Sequence, residues 1–406
     1  MKIKEGKNLF NCVTLYVITT RNWIIPDVCI VFCLSFTNQN SISHKGCGHL
    51  TRSRERVRQQ TSESNINHDH NPHPVSSKVQ YVLDSHWQGK ERVVTDQSTM
   101  TQCAGKKLTG LVAATFTPFT SQGEVNLSEI GPYIDYLKEK QGVNSIFVNG
   151  TTGEGMSLSV DERKLLAEDW CRKAKGKMEQ VIVHVGCTSL KDSQELARHA
   201  VGIGADGIAV IAPSFFKPRS AESVRAYLQT VADVAPNVPF YYYHLPALTG
   251  VNVPASDLLE GIETLIPSFR GVKFSGSNLM DLGQCISRIQ PHWSILYGVD
   301  EQLLAALALG AHGAVGSTYN YLGSHMNKLL SEFDSGNLVQ ARNLQFKMQE
   351  LINHAVKVGF DVGVNKQLMN EVSGLQLGPP RLPILPCPQS HAIAIKQKYQ
   401  HLFSVH

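Results

Sequence analysis

From Leu108 onward the chain alternates short runs of β-branched and aromatic residues with longer segments whose apolar positions recur three and four residues apart. The runs predict strands at Gly110–Thr117, Ser145–Asn149, Val181–Val185, Gly207–Ile211, Phe240–Tyr243, Gly271–Phe274, Ile295–Tyr297 and Ala314–Gly316. The segments between them predict helices such as Asp161–Lys175, Asp192–Ile203, Glu222–Val234 and Glu301–Leu309. Two stretches echo each other: Gly204-Ala205-Asp206-Gly207 and Gly310-Ala311-His312-Gly313 each close a helix on a glycine and lead into an apolar strand. Repeated βα units of this kind predict an α/β fold, a parallel sheet closed into a (β/α)8 TIM barrel. The barrel is expected over residues 106–318, with additional C-terminal helices over residues 319–406 completing a single catalytic domain.

The first hundred residues follow no such period. The apolar stretch from Trp23 to Phe36 is interrupted by Pro26 and Asp27. It falls short of the roughly 20 apolar residues an ordinary membrane helix needs, so no membrane partner is expected. A run rich in Arg, Ser, Gln, Asn and His follows, too polar to bury a core. His44, His49, His68, His70 and His73, with Cys47, match no metal-ligand spacing and read as solvated side chains. Residues 1–105 are therefore read as a largely disordered N-terminal extension, and a chain beginning at Met100 is expected to fold and work as well as the full one.

Charge sharpens that division. The formal net charge of +4 falls wholly in residues 1–99, which hold 12 Lys+Arg against 8 Asp+Glu, while the remainder carries 26 of each. Without a block of positive charge, the globular part is expected to bind no nucleic acid. The 9 cysteines show no framework spacing, and the later ones (Cys103, Cys171, Cys187, Cys285, Cys387) lie scattered in apolar or helical stretches. They read as reduced thiols, which points to the cytoplasm.

Reactive groups of a TIM barrel sit at the carboxyl ends of its strands. Those ends here carry Gly150-Thr151-Thr152-Gly153-Glu154, Tyr243, Lys273, Gly298-Val299-Asp300-Glu301 and Gly316-Ser317-Thr318-Tyr319. Lys273 stands out because Val272 and Phe274 flank it inside an expected buried strand, where an ammonium is costly to desolvate. An amine attacks a ketone only when neutral, burial favours the neutral form, and the resulting imine can accept the electrons of a breaking carbon–carbon bond. Tyr243 closes the run Tyr241-Tyr242-Tyr243; strand alternation puts Tyr241 and Tyr243 on one side, where Tyr243 serves either as core filling or as a proton-transfer group. The Gly150-Thr151-Thr152-Gly153 turn fits an ordinary capped turn as well as a seat for the carboxylate of a 2-keto acid. Asp300 and Glu301 fit equally a helix cap or, with Ser317, a grip on several sugar hydroxyls. His184 reads as a structural histidine. No cluster of His and carboxylates with ligand spacing appears in the barrel, so no metal is expected.

With these residues in place, residues 107–386 resemble the dihydrodipicolinate synthase and N-acetylneuraminate lyase family. The resemblance is carried by Gly150-Thr151-Thr152-Gly153-Glu154, Tyr243-His244-Leu245-Pro246-Ala247-Leu248-Thr249-Gly250, Gly271-Val272-Lys273-Phe274-Ser275 and Gly316-Ser317-Thr318-Tyr319-Asn320, four motifs in order. It implies a class I aldolase with Lys273 as the Schiff-base lysine, Tyr243 as the catalytic tyrosine, and Thr151 and Thr152 holding the substrate carboxylate. It further implies that Ser275, Gly298, Asp300, Glu301 and Ser317 line the pocket for a sugar chain, with no metal or organic cofactor and a homotetrameric assembly. The synthase branch carries an arginine where Leu248 stands and a relay tyrosine where Phe215 stands. Both departures favour N-acetylneuraminate, cleaved to pyruvate and N-acetylmannosamine, over aspartate semialdehyde as partner. Two rivals stay open: an aldolase for another 2-keto-3-deoxy sugar acid, and a catalytically silent barrel kept as a binding protein.

Overall fold

A computed structural model of the chain describes residues 106–403. The expectations for residues 1–105, including the Met100 start, lie outside the described residues. Eight strands pair in parallel in chain order: β1 (Gly110–Ala114), β2 (Ser145–Val148), β3 (Gln180–His184), β4 (Gly207–Ile211), β5 (Phe240–His244), β6 (Phe269–Phe274), β7 (Ser294–Tyr297) and β8 (Gly313–Gly316). The sheet closes where β1 meets β8, from Gly110↔Gly313 to Ala113↔Gly316. The expected TIM barrel is therefore the fold, and every predicted run overlaps a strand.

The largest difference from expectation is at β1, which stops at Ala114 rather than Thr117. The β-branched composition continues, but the hydrogen bonds to the neighbouring strand end with the Thr115 N–H, which donates to the Phe147 carbonyl of β2 at 3.1 Å. The Phe116 N–H donates to Tyr133 Oη at 3.2 Å and Thr117 Oγ1 donates to the Gly153 carbonyl at 2.6 Å, which draws the chain out of the ladder toward the barrel mouth.

Helices α1 (Ile130–Gln141), α2 (Val160–Ala174), α3 (Leu190–Gly202) and α4 (Ala221–Ala232) cover the first half of the sheet. Three one-turn helices, α5 (Pro246–Thr249), α6 (Ala255–Leu258) and α7 (Ile262–Leu265), follow β5; α8 (Leu279–Ser287) and α9 (Leu303–Ala308) complete the second half. The starts are written locally: Ser159 and Glu162 form a capping box on α2, and Ser189 accepts the Asp192 N–H at the start of α3. Gly204 and Gly310, the two glycines of the echoed turns, take φ of 73° and 100°, the left-handed region that side chains disfavour.

Beyond β8 run α10 (Tyr319–Asp334), α11 (Leu338–Lys357), α12 (Val362–Ser373) and α13 (Gln389–Phe403). Helix α10 packs on β1 and α1, tied there by Asn320, whose Nδ2 donates to the Ala114 carbonyl at 2.7 Å and whose Oδ1 accepts the Tyr133 hydroxyl at 2.7 Å.

Each strand is buried on both faces, and the period of two divides its residues between two cores. The outer core, between sheet and helices, takes Ile146, Val148, Val183, Val210, Tyr242, Val272, Phe274 and Ile295. The inner one takes Val112, Phe147, Ile182, Ala209, Tyr241, Tyr243, Leu296 and Val315. The barrel is therefore filled, and open space is confined to its ends.

Candidate active site at the barrel mouth

Strand register brings the two most reactive candidates together. Strand β6 carries one extra residue opposite the Phe240/Tyr241 step of β5, and this shift sets Tyr243 directly opposite Lys273. Val272 and Phe274 belong to the outer core, so alternation turns Lys273 inward, beside Tyr243 and Phe147 of the inner core. Lys273 is buried, and its Nζ lies 4.0 Å from the Tyr243 ring centroid and 4.1 Å from that of Phe147. Its Nζ therefore faces two aromatic rings rather than a carboxylate.

Tyr243 is buried as well, and its hydroxyl is 3.1 Å from Thr151 Oγ1, the first threonine of the glycine-flanked turn. Phe147 and His184 meet the Tyr243 ring edge-on, at centroid distances of 5.6 and 5.7 Å. His184 Nδ1 lies 3.0 Å from the Asn149 carbonyl oxygen, and Arg163 donates to the His184 carbonyl at 2.7 Å. Burial first, then the Arg163 charge, holds the imidazole pKa well below its usual range, so His184 is neutral at physiological pH.

The turn itself is bracketed by two non-glycine residues in the left-handed region, Asn149 (φ 61°) and Glu154 (φ 54°). It is closed by Glu154 N–H to the Thr151 carbonyl and Gly155 N–H to the Gly150 carbonyl, both 3.0 Å. Thr151 and Thr152 are half-buried on its crest.

Beside β6 in the barrel, the β7 and β8 ends form a second group. Asp300 is buried, and its Oδ2 accepts the Thr318 N–H at 3.0 Å and the Thr318 hydroxyl at 2.6 Å, while its Oδ1 is buried without a hydrogen-bond partner. A Cβ on Gly316 would sit 1.8 Å from that Oδ1, so the carboxylate occupies space only a glycine leaves. Burial pushes the Asp300 and Glu301 carboxyls above their ordinary pKa, Thr318 and Lys273 pulling the other way at Asp300. Asp300 is thus engaged with the β8 loop rather than capping the helix that follows, and that helix begins as a 3-10 turn over Asp300–Gln302. Ser275, just past β6, lies against Gly298, where a Cβ would come within 2.0 Å of the serine Oγ. Ser317 Oγ accepts the Asn365 Nδ2 at 2.8 Å.

The structure thus joins Lys273, Tyr243 and Thr151 in one contact group, sets Ser275 against Gly298, and ties Asp300 to the loop of Ser317. Among the described residues no hydrogen bond links Thr152, Glu301 or Ser317 to the Lys273–Tyr243 pair. Leu248 and Phe215, the positions where the synthase pattern differs, are both exposed, at 66% and 77%.

Sequence reading missed the supports of this site. Gln345 and Gln349 of α11 donate to the Asp300 and Glu301 carbonyls at 3.3 and 2.7 Å. Asn365 and Lys366 of α12 reach Ser317 and Glu154. The one available signal was Glu154, an acid within a glycine-rich turn; on the helices, a polar residue on a mixed face carries none.

Similarity to known proteins agrees with this geometry. Residues 107–402 match the model of the dihydrodipicolinate synthetase family. The chain is 65% identical over 294 residues to the N-acetylneuraminate lyase of Danio rerio, covering 72% of this chain and 96% of that protein. The solved N-acetylneuraminate lyase (sialic acid aldolase) of Aliivibrio salmonicida superposes with a TM-score of 0.70 at 37% identity, covering 74% of this chain and 99% of that one. A catalytic-lysine mutant of the Ruminococcus gnavus sialic acid aldolase does so with a TM-score of 0.68 at 30% identity, over 72% and 95%. The chain belongs to the dihydrodipicolinate synthetase family.

Proposed function

We propose that this chain is a class I aldolase that cleaves N-acetylneuraminate into pyruvate and N-acetylmannosamine through a Schiff base on Lys273. The observation that carries it is the contact of Lys273 and Tyr243 beside Thr151 at the mouth of the barrel. The relatives named above, sialic acid aldolases by name, supply the substrate.

In the open-chain sugar acid, the neutral amine of Lys273 adds to the C2 ketone and the Tyr243 phenol gives its proton to the departing hydroxyl, so that water leaves and a protonated imine and a phenolate remain. The Tyr243 phenolate takes the proton of the C4 hydroxyl, the C3–C4 bond breaks, and its electron pair flows into the imine to give an enamine. N-Acetylmannosamine leaves as the aldehyde; C3 of the enamine takes a proton from the Tyr243 phenol, and water hydrolyses the imine, releasing pyruvate and the neutral lysine and returning the proton to Tyr243. The imine is the electron sink, so the step calls on no metal or organic cofactor. Thr151 and Thr152 hold the C1 carboxylate on the turn, where backbone N–H groups and hydroxyls suit an anion. Ser275, Gly298, Asp300, Glu301 and Ser317 receive the polyhydroxylated chain.

The carboxylate seat has its own test. Thr152→Val keeps the shape and removes the hydroxyl, so the competitive inhibition constant of pyruvate should rise by about 10- to 150-fold, the worth of one hydrogen bond to a charged group. An unchanged constant would make the turn a mere cap.

The assembly we propose is a homotetramer. Phe215 and Phe216 stand exposed on the β4–α4 loop, beside a groove of about 1180 Å³ that they line with Lys217, Asn252 and Val253. Exposed aromatic side chains beside a groove suit an association surface. Light scattering of the full chain should give about four times the 44.7 kDa of one protomer; a monomeric mass would remove the tetramer. We place the enzyme in the cytoplasm: the four described cysteines are free thiols, which suits a reducing compartment. Among the described residues no helix is long and apolar enough to cross a membrane.

A further inference from the structure

Two consecutive residues of α12 reach two different loops of the mouth, those after β8 and β2. Asn365 donates from Nδ2 to Ser317 Oγ at 2.8 Å, its own Oδ1 held by the Tyr321 hydroxyl at 2.8 Å. Lys366 turns the other way and donates from Nζ to Glu154 Oε1 at 3.2 Å and to the Pro379 carbonyl at 3.0 Å, lying 4.2 Å from the centroid of the Phe119 ring. Glu154 completes the set: its Oε2 accepts the Arg381 N–H at 2.7 Å. The Lys366 and Glu154 side chains are 1% and 0% exposed.

Such a pair is a poor way to gain stability, because apolar side chains of the same volume usually do as well or better once desolvation is counted. What an ion pair adds is direction. Here it acts on a residue at φ 54° whose backbone N–H closes the threonine turn on Thr151. Without the carboxylate's two donors, Lys366 Nζ and the Arg381 N–H, nothing in its side chain would hold that left-handed backbone in place. Asn365 acts likewise on Ser317, since its amide, fixed at the far end by Tyr321, sets the direction in which the serine hydroxyl is presented.

We propose that Asn365 and Lys366 are positioning residues for the two halves of the substrate: Lys366, through Glu154, sets the turn that holds the keto-acid carboxylate, and Asn365, through Ser317, sets the seat of the sugar chain. One turn of α12, outside the barrel, thereby keeps the two halves in register. The proposal rests on the aldolase function above.

The full-length chain tests it in both reaction directions. Lys366→Met keeps the stem and removes the charge; it should raise the inhibition constant of pyruvate on the order of tenfold and leave the KM of N-acetylmannosamine in the condensation direction within about twofold. Asn365→Ala should do the reverse. Equal changes of both constants in each variant, or no change in either, would overturn the proposal, since a purely structural role cannot choose between the halves. If Lys366→Met does not fold, Lys366→Gln combined with Glu154→Gln takes its place; a smaller loss confined to pyruvate is expected, and wild-type pyruvate binding in that pair overturns the claim. A wild-type chain that binds neither pyruvate nor N-acetylmannosamine would instead overturn the function and the proposal together, whereas normal wild-type turnover with unsplit variants sinks the proposal alone.

Discussion

Lys273→Ala should abolish pyruvate release from N-acetylneuraminate, lowering kcat by on the order of 10⁵ or more, the scale on which removal of a covalent nucleophile acts. The size follows from the proposed chemistry: without the amine there is no imine, and without the imine the electrons of the C3–C4 bond have nowhere to go at neutral pH. The fold should survive, because the contacts the side chain makes are with the Phe147 and Tyr243 rings, and both rings belong to an inner core that β1, β3, β4, β7 and β8 also build. Circular dichroism of the variant separates the two effects. Residual turnover within about tenfold of wild type, a loss of only about 1.4 kcal/mol, would assign the chemistry to another group.

Tyr243→Phe should lower kcat by roughly 10² to 10⁴, the usual contribution of a positioned acid or base, while leaving the lysine adduct able to form. The substitution removes one atom. The ring keeps its edge contacts with Phe147 and His184, so packing is preserved, and what disappears is the hydroxyl 3.1 Å from Thr151 Oγ1. Neutral His184, with Nδ1 against the Asn149 carbonyl, is poorly disposed to take the proton in its place. Steady-state kinetics on the variant check the point: turnover equal to wild type would return Tyr243 to the role of core filler.

The fold was legible because its signals are local. The glycine that closes each helix and the apolar run that follows are adjacent in sequence, and β4 falls on the predicted run from end to end. Lys273 stood out from its immediate neighbours, because Val272 and Phe274 flank it in a run that reads as a buried strand, and both lie in the outer core. The helices α2 and α3 were legible from the recurrence of their apolar positions, and the predicted starts at Asp161 and Asp192 fall within two residues of the observed ones.

Non-local pairings were not legible. Thr151 and Tyr243 are 92 residues apart, Glu154 and Lys366 212 apart, and no periodicity in either segment refers to the other. The end of β1 was overrun because a β-branched run does not reveal that Tyr133, on α1, takes the Phe116 N–H. Asp300 illustrates the same limit. An acid at a helix start has a good local partner in the helix N–H groups, yet here the Thr318 N–H and hydroxyl across the β7–β8 boundary win it. The candidate residues could thus be found one by one from their neighbours in sequence, while their supports on α11 and α12 came into view only with the closed barrel.

The central claim is the covalent one, and trapping tests it most directly. The full chain incubated with pyruvate and sodium borohydride, digested and analysed by mass spectrometry, should carry the reduced pyruvate adduct on the peptide containing Lys273, and Lys273→Ala should carry none. An adduct on any other lysine, or labelling undiminished in Lys273→Ala, would contradict it.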